Sequence, residues 1–408
     1  MGSMILPFVV APLIARDLGP AERGLYGSAI AGLALAPVLF GMGLPLAVRR
    51  EAARGDGGAA IRTAMWICAA MLLPAVGIGF LVARHMLPGL TSVGIAAFAI
   101  ACGSAVLQTF GLCLQGCLVI EHRYAAIAVV QIAQSATMSL GAAGLWFADR
   151  MTVASLLVVF VASILATVIA AAAAARVSLR GARARPQPLL VESVSYAGSQ
   201  IAETGSNTLI PLLAVLVIGG RESGYLAVAM TIASLAAVLA NTLGVLGYRD
   251  AATRTGVELA EFCALIVRIS LASAGLFALA MACLTPLLIS TLFGEEYRPA
   301  IGPALVAVAG SILYVLNFAT SQLLAAQGRG WSMTAAQVGG LVVGVTVFAA
   351  GAGWAGALWG AIAVLICRVV TAVACLRSLP RGASSFIPRL NDLPVAARAY
   401  VRGLPADA

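Results

Sequence analysis

The chain has 408 residues, 61% of them apolar and only 10% charged, with a mean hydropathy of +1.01. A soluble globule carries about a quarter of its residues charged, so soluble classes are excluded. The net charge of +9 does not point to nucleic acid: the basic residues, all arginine, sit singly or in small groups between apolar runs and build no basic face.

Twelve apolar runs follow one another along the chain. They cover 4–15, 24–47, 64–83, 93–114, 125–147, 153–175, 193–218, 224–247, 267–291, 302–326, 332–352 and 355–376. A bilayer core of ~30 Å takes roughly 20 helical residues to cross, and all but the first run are long enough. Glycine, proline or charge marks their ends, and none alternates with the period of two that a barrel strand needs. The expected fold is an all-α integral membrane protein with about 12 transmembrane helices.

The runs fall into two sets of six. Gly19–Arg54 reads GPAERGLYGSAIAGLALAPVLFGMGLPLAVRREAAR and returns 200 positions later as GGRESGYLAVAMTIASLAAVLANTLGVLGYRDAATR, with 12 of 36 positions identical. The matches that carry weight are the punctuation: Gly19/Gly219, Glu22/Glu222, Gly24/Gly224, Arg49/Arg249 and Arg54/Arg254. A period this long is half a protein rather than a solenoid repeat. Two six-helix bundles around a central cavity are expected: an N-terminal lobe 1–176, a cytoplasmic linker 177–192, a C-terminal lobe 193–376 and a cytoplasmic tail 377–408. On the same shift the first helix lacks two turns that its counterpart, starting near Ser193, possesses, so it is expected to be N-terminally shortened. A signal peptide does not explain it, because no basic region precedes the apolar run.

Arginines set the orientation. With the N-terminus inside, the inner connections and tail hold 18 arginines and the outer connections six. The positive-inside rule therefore puts both termini in the cytoplasm. Six helices per half make the repeat a parallel one.

Arg16-Asp17-Leu18-Gly19-Pro20, then Gly24-Leu25-Tyr26-Gly27, resembles the opening of polysaccharide flippases of the Wzx type, in the multidrug/oligosaccharidyl-lipid/polysaccharide exporter superfamily. Gly224-Tyr225-Leu226-Ala227 is similar to the family's start of its eighth helix, Leu292-Phe293-Gly294-Glu295-Glu296-Tyr297 to its outer turn after the ninth, and Leu358-Trp359-Gly360-Ala361-Ile362-Ala363 to the start of the last. The resemblance spans the chain in order; the shortened first helix and Gly219-Gly220 in place of Gly-Pro depart from it. It implies movement of a lipid-linked glycan from the inner to the outer leaflet of the plasma (inner) membrane by alternating access, without a cofactor. Membrane lipids, H+ or Na+ and glycan-assembly proteins are the partners it suggests. A multidrug or organic-cation antiporter of the same superfamily is the alternative.

Intramembrane charge is rare and costs about 2.5–3.5 kcal/mol at the bilayer centre on insertion scales. Glu203 is the one acid deep in a run, and Arg368 is its basic counterpart in the last helix. Gln200, Glu203 and Asn207 share one helix face by their spacing of three and four; shifted back by 200, Glu203 meets Ser3, Asn207 meets Pro7 and Arg368 meets Val168. Three readings stand: a structural Glu203–Arg368 salt bridge; an ion-coupling site at Glu203 with Asn207 and Gln200; and, from the resemblance, Arg368 holding a substrate phosphate. Gln108, Gln115, Gln131, Gln134, Asn241, Asn317, Gln322 and Gln337 are weaker polar candidates, read as interhelical hydrogen bonds or as a cavity lining for a sugar headgroup, and Gly339-Gly340 is a candidate bend in the eleventh helix. No catalytic or metal motif is found. The eight cysteines show no Cys-x-x-Cys pair, and Gly19–Gly24 lacks the Lys-Ser/Thr of a nucleotide-binding loop.

Overall fold

The computed structural model describes residues 2–177, 180–240, 254–351 and 354–380, with 243, 251, 386 and 387. Asn241, Arg249 and all but the start of the expected tail lie outside these. Among the described residues every regular element is helical: α1 (Gly2–Gly41), α2 (Leu44–Ala53), α3 (Gly57–Met86), α4 (Ser92–Ile120), α5 (Tyr124–Phe147), α6 (Val153–Ala175), α7 (Pro186–Ile218), α8 (Gly220–Ala233), α9 (Gly256–Leu288), α10 (Ile301–Ala326), α11 (Gly330–Ala350) and α12 (Gly356–Ser378).

Eleven stretches are long and apolar enough to cross a bilayer. The first, Val10–Gly41, runs through a break at Gly19, where φ is 68° and ψ 173°. α1 therefore holds two of the expected spans. Gly219 breaks the chain between α7 and α8 in the same conformation, φ 82° and ψ 166°. This left-handed extended backbone is open to glycine and strained for other residues, which explains why the repeat keeps glycine at both positions. The helical segment before Gly19 starts at Gly2, whereas α7 runs for 33 residues before Gly219.

Several boundaries differ from the apolar runs, α3 and α9 starting at Gly57 and Gly256 rather than at 64 and 267. The run 24–47 is interrupted: α1 stops at Gly41, Met42 and Gly43 adopt positive φ, and α2 starts afresh with a proline in its first turn. Proline there is pre-shaped for a helix start and loses no bond. α7 begins at Pro186, ahead of the apolar run at 193, for the same reason. Side chains close two of the other helix starts. Thr152 and Ser155 form a reciprocal capping box on α6, and the Thr91 hydroxyl accepts from Gly94 N at 3.1 Å on α4.

The chain divides into two compact units, Met1–Gly224 and Tyr225–Ala408. The first extends beyond the linker because α7 packs on α1, α2 and α3. Within it α4 is the central helix, touching α1, α2, α3 and α6, and α5 lies against α6. In the second unit α9 packs on α10, α10 on α12, and α11 on α12. That is the order α3–α4, α4–α6, α5–α6 of the first unit, so the duplicated sequence builds a duplicated packing scheme.

Lipid tails are as apolar as leucine, so close approach rather than the hydrophobic effect holds such helices together. Glycines provide it. A Cβ on Gly103 of α4 would lie 2.7 Å from Val76 of α3, and one on Gly41 of α1 would lie 2.7 Å from Thr109 of α4. Gly340 and Gly344 of α11 seat on α12, where Cβ atoms would come within 2.7 Å of the Cys367 carbonyl oxygen and 2.6 Å of the Cys367 Cβ. Gly340 is thus a packing residue in an unbroken helix, not a bend. Gly340→Val should cost ~1–3 kcal/mol by overpacking, read as a lowered thermal midpoint in detergent; an unchanged midpoint would refute the contact.

The remaining family-like residues are fasteners too. Gly294 turns the chain at φ 100°, placing Tyr297 edge-on to Phe293 and to Tyr225, both at 6.2 Å. Trp359 donates its indole N–H to the Val347 carbonyl at 2.9 Å, tying α12 to α11. Trp331 and Trp354, at the two ends of α11, are 84% and 85% exposed. Such a pair of amphipathic rings marks the two interfaces of a bilayer.

Candidate functional site

α7 carries the first cluster. Gln200, Glu203 and Asn207 are all half-buried on the face their spacing defines. Two hydroxyls and one amide around them bond to their own helix. Ser206 donates to the Ala202 carbonyl and Thr208 to the Thr204 carbonyl, each at 2.7 Å, and the Asn207 amide donates to the Glu203 carbonyl at 3.1 Å. The Glu203 carboxyl makes no hydrogen bond or ion pair among the described residues.

Pro211 adds an acceptor that spacing alone does not reveal. It has no N–H, so the carbonyl of Asn207, four residues earlier, loses the donor a regular helix would supply. The cluster therefore gathers a carboxyl, the Asn207 side-chain oxygen and a main-chain carbonyl within one turn. Oxygen-rich sets of this kind suit a proton or a small hard cation. No group of three or more histidine, cysteine or acidic side chains that would hold a metal occurs among the described residues.

Pro211 also fixes where α7 stands. Its carbonyl accepts from the Ser28 hydroxyl of α1 at 2.7 Å. Ser28 meets Ser223 of α8 at 3.3 Å, and Ser223 reaches the Gly24 carbonyl at 3.3 Å. Here the two copies of the repeat touch at equivalent residues. A Cβ on Gly24 would lie 2.6 Å from Gly224 N, and one on Gly224 would lie 2.7 Å from the carbonyl carbon of Pro20. The repeated glycines are kept because backbone lies against backbone.

Glu203 belongs to the first unit and Arg368 to the second. The Arg368 side chain is 92% buried, since 8% remains exposed, between α12 and α10. The guanidinium carbon stands 5.2 Å over the ring of Tyr314. Nη1 lies 3.4 Å from where a Cβ of Gly310 would be, so the glycine makes room for it. Asn317 donates to the Arg368 carbonyl at 3.0 Å. Nε and Nη1 of Arg368 and Oδ1 of Asn317 have no hydrogen-bond partner among the described residues. The unit's described acids, Glu258, Glu261, Glu295 and Glu296, all lie at helix ends. Tyr314 is the residue that sequence reasoning missed; only its four-residue spacing from Gly310 and its helical neighbour Asn317 hinted at it.

The same fold occurs in solved membrane transporters. An inward-facing multidrug resistance MATE family transporter of the MOP superfamily superposes with a TM-score of 0.72 at 15% identity, covering 92% of this chain and 93% of that one. The lipid II flippase MurJ, inward closed, superposes with a TM-score of 0.68 at 12% identity, covering 98% and 89%. An outward-facing MATE family transporter gives 0.59 at 17% identity over 91% and 90%. The chain is thus a multi-pass membrane protein with a MATE/MurJ-like transporter fold. No curated protein matches it in sequence. Residues 1–248 match the family model described as polysaccharide biosynthesis protein, and the chain belongs to that family.

Proposed function

We propose that the protein flips a lipid-linked oligosaccharide of the polyprenyl-diphosphate type from the cytoplasmic to the outer leaflet of the inner membrane by alternating access. The family match over residues 1–248 carries this reading, and the fold shared with a lipid II flippase supports it. The repeat assigns six helices to each lobe, 1–176 and 193–376, and the arginine distribution puts both termini, the linker 177–192 and the tail 377–408 in the cytoplasm. Glu203, with Asn207 and Gln200, is the proposed coupling site for H+ or Na+, and Arg368 the proposed partner of the substrate diphosphate. Moving one charge through 100 mV supplies ~2.3 kcal/mol, enough to bias two states of the carrier. Glycan-assembly proteins are the expected neighbours at the outlet. No nucleic acid and no cofactor take part.

Glu203→Gln keeps the size of the side chain and removes its charge. In vesicles loaded with lipid-linked glycan, this variant should flip at least ~10-fold more slowly and lose the dependence on pH or sodium. A wild-type rate with wild-type ion dependence would remove the coupling role. The likeness to MATE transporters favours a second reading, export of an organic cation. Under it, purified protein in vesicles would drive out a fluorescent cation and leave lipid-linked glycan in place.

A further inference from the structure

The linker between the repeat halves is not a slack tether. Ala184 N donates to the Ala59 carbonyl at 3.3 Å, Arg62 Nε to the Ala182 carbonyl at 2.6 Å, and the Thr63 hydroxyl to the Ala184 carbonyl at 2.8 Å. The Arg183 guanidinium lies 4.6 Å over the ring of Trp66. Four contacts therefore strap 182–184 onto the first three turns of α3. The contacts fix Arg62 and Arg183, and Arg176, Arg180, Arg183 and Arg185 fall within ten positions of the chain. No acidic residue occurs between Asp149 and Glu192. Glu192 is engaged by Arg50 and Glu51 by Arg54, both at 2.7 Å, and Glu121 by Arg123 at 3.4 Å, while Asp56 stands exposed just ahead of α3.

Exposed apolar side chains lie on the two helices that the strap joins. Trp66 is 53% exposed, and Leu190, Val191 and Val194 on the first turns of α7 are exposed as well. A half-exposed tryptophan under an arginine fits the boundary between headgroups and acyl chains. We propose that the strap and the first turns of α3 form a binding site for an anionic phospholipid. Arg183 and Arg185, with Arg62, take its phosphate, and Trp66 with the apolar start of α7 takes its chains. Fixed arginines can offer paired N–H donors to a phosphate without first being ordered, which a free loop cannot do. A zwitterionic lipid would bring its own cation to the same arginines and bind less well. This site is separate from Glu203 and Arg368 and does not depend on what the protein transports.

The test uses the full chain in micelles containing equal phosphatidylglycerol and phosphatidylcholine, with bound lipid read by native mass spectrometry. Wild type should retain phosphatidylglycerol in preference to phosphatidylcholine. Arg185→Gln and Arg183→Gln should each lower that preference about fivefold, the scale of one basic residue at an anionic surface. Trp66→Leu should lower total lipid retained rather than the preference. Arg298→Gln, at an exposed arginine outside the strap, should change neither, and identical elution on size exclusion confirms that each variant is folded. The proposal is overturned if both strap variants keep the wild-type preference, if Arg298→Gln loses as much as they do, or if soluble glycerol phosphate displaces the lipid completely.

Discussion

Arg368→Met is expected to give a folded protein, more stable than wild type by ~1–4 kcal/mol, that has lost most of its export. The physical case rests on the unmet donors. Taking a guanidinium out of water costs several kcal/mol, and the cost is recovered only through well-placed partners. Nε and Nη1 have none among the described residues, and the face of Tyr314 at 5.2 Å supplies only part of what water gave. Methionine fills a similar volume beside Gly310 and asks for no partner. On the proposed function the charge meets the substrate diphosphate during the cycle, and losing that charge-assisted bond should slow export by ~10-fold or more. The measurement is paired: thermal midpoint in detergent and flipping of lipid-linked glycan in vesicles. A variant that fails to fold would make Arg368 a structural keystone, and a variant that exports normally would take it out of the mechanism.

Gly224→Ala and Gly24→Ala carry the other large effect. Each Cβ would be driven into backbone: that of Gly24 towards Gly220 and Gly224, that of Gly224 towards Pro20. Backbone cannot rotate away as a side-chain tip can, so the helices must part. The expected cost is at the upper end of overpacking, ~3 kcal/mol for each substitution, with loss of the Ser28–Pro211 and Ser28–Ser223 contacts. Because both substitutions strain one crossing, the double variant should cost less than the two single costs added. Additive costs would mean that the glycines do not meet. Gly339→Ala is the control: a Cβ there meets open space, so the midpoint should stay within ~0.5 kcal/mol of wild type.

Membrane placement was legible because the signal is one of composition. A run of twenty apolar residues has few alternatives, and turn residues mark its ends. The repeat was legible for a related reason: a glycine in a left-handed or crowded position cannot be replaced cheaply, so Gly19, Gly24, Gly219 and Gly224 stay aligned while the apolar filler drifts. Helix starts were less visible. Pro186 lets α7 begin ahead of its apolar run, and the left-handed step at Met42 and Gly43, with Pro45 opening α2 after it, cuts another apolar run in two.

The sequence by itself determined the class of fold, its duplication and the rare intramembrane polar residues Gln200, Glu203, Asn207 and Arg368. Rarity in an apolar chain can be read without coordinates. Tertiary structure alone decided what surrounds them. It set the hydroxyls of Ser206 and Thr208 on their own helix, brought Tyr314 under Arg368, and closed Gly24 on Gly224. It also laid Arg183 of the linker over Trp66 of α3. Hydrogen bonding and packing join residues far apart in the chain, and no local pattern encodes which distant carbonyl or ring a given side chain will meet.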